Sequence, residues 1–517
     1  MKKRITTLIV LMFIIIFVAI LTLENNKHSE YELKDEENNV LIALSLDGNK
    51  ITSFPSKGMY KVNVNCNNAD GKWLYDDWKL AIENITGDIS CDIDFKTIDK
   101  VNFNDYIIGL LDTEQGNGKV LKEVAQNPNY DMVSNLNEND FSSIEMYYNN
   151  WSNSKYGTSL EKIYSYENGN WISNSSNMMS GKYNSISFTV KESGFYKICY
   201  EVDSGSGTTY FVNDGYELSK VYSTTTSVKS GCVEMGYVKK GYSLGVSQYS
   251  QYTSKVTFSI MKVVETNPID AGIRYEGKNP NNYIWFNNEY WRVIGVLDSN
   301  THGQNGQELV KIIRTESLGY LSFYCTDCSD WSKAWLRSLL NDSYYNAQDG
   351  TDSGYCRGYY SNIPKNCNYT KKGIQAYYRK MITKTAWYLG GYPNTGVSSN
   401  QIFLLERNNT NSSRPNFVDD YIGLMYVSDY GFSILNEKLD RFKYLNNSDT
   451  NWSWLYGMGT DMVTITPHGG FIFAFDTYLT RNNPISGGEI FPTLYLDSSV
   501  YVIDGDGSLE NPYIIGM

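Results

Sequence analysis

The sequence predicts a multidomain protein with an N-terminal transmembrane helix, two antiparallel β domains and a C-terminal α+β domain. Three observations lead to this prediction. The chain begins with a long apolar run, short apolar–polar alternations recur through its first half, and its second half mixes such strands with helical periodicity. The 517 residues are enough for three or four domains of about 150 residues each.

The N-terminal apolar run predicts a membrane anchor. It extends over residues 5–23, which as a helix spans about 28 Å, close to the thickness of the bilayer core. The basic residues within 1–4 predict a cytoplasmic stub, so the bulk of this single-pass protein is expected outside the cell. No small-residue cleavage site follows the run, which favours an uncleaved signal-anchor over a cleaved signal peptide.

A charged spacer and a small β domain are expected next. Residues 24–37 are charged and lack apolar periodicity, which indicates a spacer above the membrane. Apolar–polar alternation and Gly-containing turns over 38–113 predict a small Ig-like β module. Residues 114–161 are rich in Asn, Ser, Glu and Gly and are expected to form a linker.

A second β domain is predicted over 162–265. Seven or eight short apolar runs, separated by turns containing Gly, Asp and Ser, are typical of an antiparallel sandwich. Asn267-Pro268 marks the predicted boundary to a domain over 270–517, in which strands and helices alternate. Two helices are expected there, one beginning at Ser329 or Asp330 and one over 373–391 that ends at a Gly pair.

The eight cysteines indicate an oxidising, external location. They occur as sequence-local pairs, which favours disulfides over free thiols. Two alternatives concern the last four: a zinc site, and a redox pair at Cys325 and Cys328. The connectivity among the last four is open. The predicted disulfide cysteines are Cys66, Cys91, Cys199, Cys232, Cys325, Cys328, Cys356 and Cys367.

An ordered series of motifs in the last domain carries a resemblance to a known family. The series runs NYIWFNNEYWRVIGVLD, VKIIRTESLG, TAWYLGG, ERNNTNSSRP, YIGLMYVSDYGFS, FPTLYLDSS and GDGSLENPY. Over 272–517 it resembles an uncharacterised surface-protein domain of low-GC Gram-positive bacteria, which is similar to the formylglycine-generating-enzyme and C-type-lectin-like fold. The resemblance implies a C-type-lectin-like domain at the C-terminus.

The resemblance extends to the front of the chain. Residues 38–113 resemble a small β module that precedes this domain in the same group of proteins, where its tail runs on directly into RYEGKNPNNYIWFNN. Here residues 126–270 interrupt that junction, so the sandwich resembles an inserted jelly-roll or galactose-binding module. No Cys follows Cys367, and the calcium-ligand motifs of lectins are missing, so neither oxidase chemistry nor calcium-dependent sugar binding carries over.

Composition and isolated motifs argue against several functions. A formal charge of −12 disfavours nucleic-acid binding, and three His leave little room for imidazole chemistry. Gly241-Tyr-Ser243-Leu-Gly245 matches a nucleophile elbow but lacks the strand–turn–helix context, and His468 lacks a nucleophile partner. The segment 504–510 lacks the ligands of a calcium loop and predicts a tight turn. No cofactor, metal site or catalytic residue is predicted.

The surplus of aromatic residues is the strongest functional signal. Tyr occurs 44 times and Trp 11 times, and such side chains give large contact areas at small entropic cost. Trp291 and Trp387 are expected in the core, whereas Trp452 and Trp454 are expected in an exposed polar loop. The predicted ligand-binding residues are Trp452, Trp454, Tyr456, Tyr388 and Asp429.

These observations predict a non-catalytic, membrane-anchored, adhesin-like protein that recognises an extracellular glycan or protein. Two alternatives stay open. A hydrolase acting on polysaccharide could use acidic loop residues, among them Asp419, Asp420, Asp429, Asp461 and Asp476. The third possibility is a passive structural protein of the cell envelope.

Overall fold

The structure is a computed structural model, which describes most of the chain after residue 32. The described residues are 33–34, 39–56, 60–75, 78–97, 99–132, 141–142, 164–167, 170–173, 183–202, 208–213, 216–222, 229–249, 256–323, 330–357, 366–391, 398–409, 412–438, 441, 445, 450–468, 471–475, 479–482 and 487–517. The predicted anchor, 5–23, lies outside them. Within these ranges no helix has both the length and the hydrophobicity to cross a bilayer.

Strands dominate the fold and confirm the predicted β-rich class. In the described part of the chain, strands hold several times more residues than helices, and they form several separate sheets. The chain forms two compact units. The first contains the described residues up to Val101 with Tyr501–Asp504 and Gly516, and the second contains Asn102–Val500 and Gly505–Ile515 with the last residue.

The first unit is built on one mixed sheet and a separate hairpin. The sheet order is Leu33–Lys34, Asn39–Leu46, Ile89–Thr97, Tyr60–Asn67, with Asn49–Ile51 beside the second strand. Asn39–Leu46 and Ile89–Thr97 run parallel, and the other pairs are antiparallel. Asp70–Leu74 and Lys79–Glu83 form the hairpin. The aromatic side chains of Trp73, Trp78 and Phe95 pack edge to face or tilted to fill the core, with Trp73 and Phe95 centroids 5.1 Å apart.

The sandwich consists of two five-stranded antiparallel arrangements around one apolar core. One contains Tyr164–Glu167, Asn170–Ser173, the first half of Val256–Asn279, Gly194–Val202 and Lys229–Val238. The other contains Phe141–Ser142, Tyr183–Thr189, Ser243–Tyr249, Thr208–Asn213 and Tyr216–Tyr222. Side chains from both sets share a buried cluster that includes Ile198, Phe211 and Phe258. This packing is the two-layer solution that alternating strands predict.

A long pair of antiparallel strands, called the hairpin below although the sandwich lies between them in sequence, connects the sandwich to the rest of the second unit. Asn117–Met132 pairs antiparallel with Val256–Asn279 along its whole length, from Asn117 opposite Asn279 to Met132 opposite Met261. The prediction of a linker beginning at 114 is therefore wrong for 117–132, and Asn267-Pro268 is not a break. The sequence did not predict this strand because its residues are largely polar. The strand is held by cross-strand hydrogen bonds and shows no apolar periodicity.

A buried charged cluster holds this hairpin. Glu123 and Glu276, one from each strand, share the single guanidinium of Arg441: Arg441 Nε and Nη2 donate to Glu123 at 2.9 Å, and Nη2 lies 2.9 Å from Glu276 Oε2. All three side chains are less than 8% exposed. Because two carboxylates face one cation away from water, burial raises the pKa of Glu276 well above its usual value.

This geometry predicts a distinctive pH dependence for Glu276→Gln. A raised pKa in the folded state means that stability is complete below the pKa of the unfolded chain, about 4.3, and falls as the pH rises above it. As the pH rises from 5 to 8, the free energy of unfolding of the wild type is therefore expected to fall, whereas that of Glu276→Gln is expected to change less. Urea unfolding across this range measures the difference, with the exposed Glu308→Gln as control. Parallel pH profiles for wild type and Glu276→Gln would contradict the assignment.

The remaining part of the second unit surrounds a central sheet with short helices. The strands are Tyr283–Phe286, Glu289–Leu297, Leu309–Arg314, Tyr320–Leu321, Thr385–Tyr388, Phe417–Asp420, Ile422–Gly423, Met462–His468, Phe471–Phe475, Leu479–Asn482, Gly488–Glu489, Thr493–Tyr495 and Tyr513–Gly516. The α-helices are Phe103–Ile108, Ser299–His302, Trp335–Ser338, Ala376–Arg379, Ser399–Arg407 and Val427–Ser433. Trp331–Lys333 and Thr450–Trp452 are 3₁₀ turns, and Leu339–Tyr344 is a π-helix.

Of the two helices predicted in the last domain, one begins where expected and the other is mostly not helical. The first begins as expected, because Asp330 accepts a hydrogen bond from the Ser332 backbone N–H, although it continues as three short helical pieces. The prediction over 373–391 is wrong beyond its start. Only Ala376–Arg379 is helical, and Thr385–Tyr388 is a strand paired with Phe417–Asp420. The β-branched residues of ITKT, at 382–385, favour extended backbone there.

Three predicted disulfides are confirmed. Cys66–Cys91 and Cys199–Cys232 each join directly opposed residues on neighbouring strands. Cys356 and Cys367, eleven positions apart, form the third disulfide, which removes both thiolates from the alternative zinc site. Cys325 and Cys328 lie outside the described residues.

Candidate functional site

A two-stranded ribbon forms one wall of the candidate site. In this ribbon, defined as Thr385–Tyr388 with Phe417–Asp420, Thr385 lies opposite Asp420 and Tyr388 lies opposite Phe417. Because strand side chains alternate, one face carries Thr385, Trp387, Val418 and Asp420, and the other carries Ala386, Tyr388, Phe417 and Asp419. The first face is turned inward, with Trp387 completely buried. The second face borders a groove.

The groove is a cavity of about 790 Å³ in the second unit. The ribbon forms one side, the loop 299–305 and the start of the hairpin at 268–270 form others, and Arg407 completes the lining. The lining residues are Pro268, Ile269, Asp270, Ser299, Asn300, Gly303, Gln304, Asn305, Ala386, Tyr388, Arg407, Phe417 and Asp419. Its volume lies within the range of small-molecule sites, about 300–1,000 Å³.

Two aromatic rings stand together in the groove. The centroids of Tyr388 and Phe417 are 5.9 Å apart in an edge-to-face arrangement. Phe417 is 45% exposed, which is unusual for a Phe that already contacts another ring. The main-chain carbonyl of Tyr388 accepts a hydrogen bond from the hydroxyl of buried Tyr426, which fixes the backbone of Tyr388. The pair is therefore a rigid, partly exposed apolar surface.

The loop opposite the ribbon is held by a buried histidine. His302 Nε2 lies 2.9 Å from the Leu297 carbonyl, and the Gln304 backbone N–H donates to His302 Nδ1 at 3.2 Å. This arrangement requires the neutral ring protonated at Nε2, and burial lowers the pKa of His302 to about 4. Gly303, at a φ of +75°, passes so close to the ribbon that a Cβ would lie 2.9 Å from that of Ala386. The loop is thus fixed against the ribbon at neutral pH.

The polar groups of the groove differ in their availability. Asp270 is engaged, because one carboxylate oxygen accepts from the Gly272 backbone N–H and the other pairs with Lys122. Asp419 is exposed, and its carboxylate makes no hydrogen bond or ion pair with any side chain or backbone group that the structure describes. Arg407 donates from Nη1 to the Phe403 carbonyl, and 12% of its side chain stays accessible at the groove. The loop adds three amide side chains: Asn300 already donates to Asp298 and Gln304 to the Lys384 carbonyl, so their carbonyl oxygens remain as acceptors, and Asn305 also lines the groove.

Asp429, predicted to bind ligand, is a buried structural group. Its side chain is 1% exposed and accepts hydrogen bonds from Arg274 and Lys311 at 2.6 Å each, and from the Tyr426 backbone N–H. The exposure expected for it is wrong, because the Asp sits in the first turn of Val427–Ser433, where it caps the helix and neutralises two buried cations. It supports the segment under the groove and does not line it.

The other predicted binding residues fall in two places. Tyr388 lines the groove. Trp452 and Tyr456 are each 39% exposed, as expected for an open loop, but they are not among the groove-lining residues. The exposure predicted for Trp454 is wrong: it is 2% exposed, and its Nε1 donates to the Tyr275 carbonyl at 2.8 Å. Trp452 and Trp454, which are separated only by Ser453, therefore differ in burial, which residue type alone does not reveal.

The core predictions for Trp291 and Trp387 are confirmed, since both are completely buried. The elbow-like segment is a turn at Gly241 followed by the strand Ser243–Tyr249, which agrees with the structural interpretation. Asp420 is also buried and pairs with Arg337. No cluster of three or more potential metal ligands occurs in the described part of the chain, and Asp476 and the side chain of His468 lie outside that part.

Sequence reasoning missed most of the groove. Phe417, Arg407 and the loop 299–305 were not among the predicted residues. One signal was available: FVDD and TAWY both alternate, which places Phe417 and Asp419 on one face of a strand. Nothing in the sequence indicated that this strand pairs with Thr385–Tyr388.

Comparisons with known proteins assign no family. No family model matches the chain, and no curated protein matches its sequence. The secreted serine protease VesC from Vibrio cholerae aligns with 37% of this chain and 32% of its own, at 8% identity and a TM-score of 0.16. The N-terminal CBM22 tandem domain of Xyn10C from Paenibacillus barcinonensis aligns over 38% and 63%, at 12% identity and a TM-score of 0.17.

A GH2 beta-galacturonidase from Eisenbergiella tayi aligns over 37% of this chain and 31% of its own, at 8% identity and a TM-score of 0.16. The chain thus spans less than two thirds of the length of each of these proteins. At these TM-scores the alignments assign neither a fold nor an activity.

Proposed function

We propose that the protein is a non-catalytic carbohydrate-binding protein of the cell surface and that the groove is its glycan site. The observation that carries the proposal is the partly exposed Tyr388–Phe417 pair, which shares one groove with the unengaged carboxylate of Asp419 and with amide side chains. The apolar segment at 5–23 and the three disulfides support a membrane-anchored, extracellular location. A C-type-lectin-like domain over 270–517 remains part of the proposal.

The chemistry of the groove fits a pyranose better than a purely apolar ligand. A sugar presents an apolar C–H face that can pack on an aromatic ring and hydroxyls at its edge that need hydrogen-bond partners. Tyr388 and Phe417 supply the ring surface, and Asp419 accepts from hydroxyls. Arg407 and the loop amides donate to or accept from the remaining hydroxyls. A protein ligand is the alternative occupant.

A polysaccharide hydrolase is the second candidate, because Asp270 and Asp419 line the same groove. The contacts favour binding over catalysis. Both carboxylate oxygens of Asp270 are already bound, by Lys122 and by a backbone N–H, so Asp270 is poorly placed to transfer a proton. Turnover of any polysaccharide that is abolished in Asp419→Asn or Asp270→Asn would favour the hydrolase.

The test is a glycan array probed with the full chain, followed by titration of the best-bound glycan. Tyr388→Ala and Phe417→Ala are each expected to weaken binding at least about tenfold, since such rings act as binding hot spots. Trp452→Ala is the matched control, because Trp452 is equally exposed but does not line the groove. Its affinity is expected to stay within about twofold of wild type.

Four results would reject this proposal. Full binding by Tyr388→Ala and Phe417→Ala would show that the groove is not the site, and loss in Trp452→Ala alone would move the site to that loop. Binding to no glycan on the array, with binding to a protein, would favour the protein-ligand alternative. Binding to neither would favour a passive structural role.

A further inference from the structure

The ribbon continues past the groove to a second pair of aromatic rings. Tyr345 and Tyr421 stack face to face, with centroids 4.2 Å apart and an interplanar angle of 7°. Both are half-buried, and the ammonium of the exposed Lys384 lies 5.9 Å from the centroid of Tyr421. None of these three residues lines the groove. An open stacked pair beside a hydrogen-bond donor is a surface of the same chemical kind as the Tyr388–Phe417 pair.

The two aromatic pairs lie on the same side of the ribbon. The last pair of the ribbon is Thr385 opposite Asp420, and Lys384 and Tyr421 are the next residues of the two segments. They lie two positions from Ala386 and Asp419, so alternation places them towards the face of Ala386–Asp419 and Tyr388–Phe417. The contact between Lys384 and the Tyr421 ring agrees with this placement. Tyr421 follows Phe417 by four positions, which is about 13 Å at 3.3 Å per residue of extended backbone. This separation exceeds the width of a single sugar ring.

The space between the two pairs is open along one strand. Gly303 covers Ala386 on the strand Thr385–Tyr388, but Asp419, directly opposite Ala386, is exposed. A ligand extending from Phe417 towards Tyr421 would therefore pass over the Asp419 carboxylate. That carboxylate can accept hydrogen bonds from hydroxyls midway between the aromatic pairs.

The far end of this path is rigidly supported. Asn341 Oδ1 accepts from the backbone N–H groups of Tyr421 and Ile422, and its Nδ2 donates to the Ile422 carbonyl. Arg337 makes a bidentate ion pair with Asp420, the residue before Tyr421. The Tyr421 backbone is thus fixed before any ligand arrives, which lowers the entropic cost of binding there.

We infer that Tyr345, Tyr421 and Lys384 form a second carbohydrate subsite, so that the protein binds an extended oligosaccharide along the ribbon and not a single sugar. The inference rests on the proposed function of the groove. One end of the oligosaccharide occupies the groove against Tyr388 and Phe417, its middle crosses Asp419, and its other end stacks on Tyr421. Lys384 donates to a hydroxyl or ring oxygen at that end.

The experiment measures affinity against ligand length. Cello-, chito- and xylo-oligosaccharides, from monosaccharide to hexasaccharide, are titrated calorimetrically into the full-length wild type, Tyr388→Ala, Tyr421→Ala and Lys384→Ala. Affinity of the wild type is expected to rise with length. Tyr421→Ala is expected to weaken binding of the longest bound oligosaccharide about tenfold and to leave the shortest within about twofold. Tyr388→Ala is expected to weaken both.

The outcomes separate the two proposals. Equal effects of Tyr421→Ala on short and long oligosaccharides, with Tyr388→Ala still impaired, overturn the second subsite and leave the groove. Unimpaired binding by Tyr388→Ala overturns the groove and the subsite with it, as does failure of every oligosaccharide to bind the wild type. If Tyr421→Ala does not fold, Lys384→Ala is the deciding variant, because the Lys384 side chain is exposed and its removal is not expected to unfold the protein. Weaker binding of long but not of short oligosaccharides by Lys384→Ala supports the subsite. Unchanged binding of both refutes it.

Discussion

Trp454→Ala is expected to lower the free energy of unfolding by about 3–5 kcal/mol, whereas Trp452→Ala is expected to change it by less than about 0.5 kcal/mol. The two residues are separated by one position and share a side-chain type, so they form a matched pair. Their surroundings differ completely, with exposed fractions of 2% and 39%.

Three contacts explain the large effect at Trp454. It packs in the core cluster with Val427, Tyr430 and Phe475, its Nε1 donates to the Tyr275 carbonyl, and the Arg292 guanidinium lies 4.6 Å from its ring centroid. Truncation would leave a cavity and an unpaired buried carbonyl. Trp452 loses only a stacking contact with Lys438, 4.7 Å from its ring, in solvent.

Chemical denaturation of both variants, monitored by circular dichroism, measures this difference. Similar free energies of unfolding for Trp454→Ala and Trp452→Ala would contradict the burial of Trp454. A large loss in Trp452→Ala alone would reverse the assignment of the two side chains.

Asp429→Asn is the second substitution with a large expected effect, a loss of about 3–5 kcal/mol in the free energy of unfolding. The change keeps the volume of the side chain, removes its charge and replaces one acceptor oxygen with a donor NH2 group, although both oxygens of Asp429 accept hydrogen bonds. Arg274 and Lys311, 1% and 0% exposed, would then be buried without the carboxylate that they share. Uncompensated buried cations are far more costly than a missing surface ion pair.

The effect of pH supplies an independent check on Asp429. Burial alone would raise the pKa of its carboxyl, but the charges of Lys311 and Arg274 outweigh burial and hold the pKa below its usual range. A lowered pKa means that the stabilisation is fully present above about pH 3.9 and is lost as the pH falls further. The deficit of Asp429→Asn should therefore shrink in strong acid.

Asp419→Asn is the control, because Asp419 is exposed and is expected to change stability by less than about 0.5 kcal/mol. Unfolding free energies of both variants and the wild type between pH 3 and 7 complete the comparison. Equal stability of Asp429→Asn and wild type at pH 7 would show that the buried ion pairs do not stabilise the fold.

Local features of the sequence predicted local features of the fold. Strand alternation predicted the two β domains, sequence-local cysteines predicted three disulfides, and apolar periodicity placed Trp291 and Trp387 in the core. Each of these depends on neighbours close in the chain or on hydrophobicity alone. The long-range hairpin did not follow from such signals, because its partners are more than 100 positions apart and its residues are largely polar.

The candidate site was only partly predictable for the same reason. Tyr388 was found from composition, but its ring partner Phe417 and the fixed loop at His302 depend on pairings that only the folded chain shows. The predicted exposure of Asp429 was wrong because the two cations that bury it, Arg274 and Lys311, come from strands distant in sequence. Side-chain chemistry predicted a binding surface, and tertiary contacts decided which side chains line the groove.

The long hairpin also determines how the protein would carry mechanical load. Both strands run side by side from the rest of the second unit into the sandwich, with Met132 opposite Met261, so a pull on the sandwich stretches them together and does not unzip the ladder between them. Tension then passes to the side chains that hold the base of the hairpin. Those are the Arg441 clamp on Glu123 and Glu276, and Asn400, which bonds the Gln126 backbone N–H and carbonyl. These few polar contacts would be the first to break between a pulled sandwich and the segment that contains the groove.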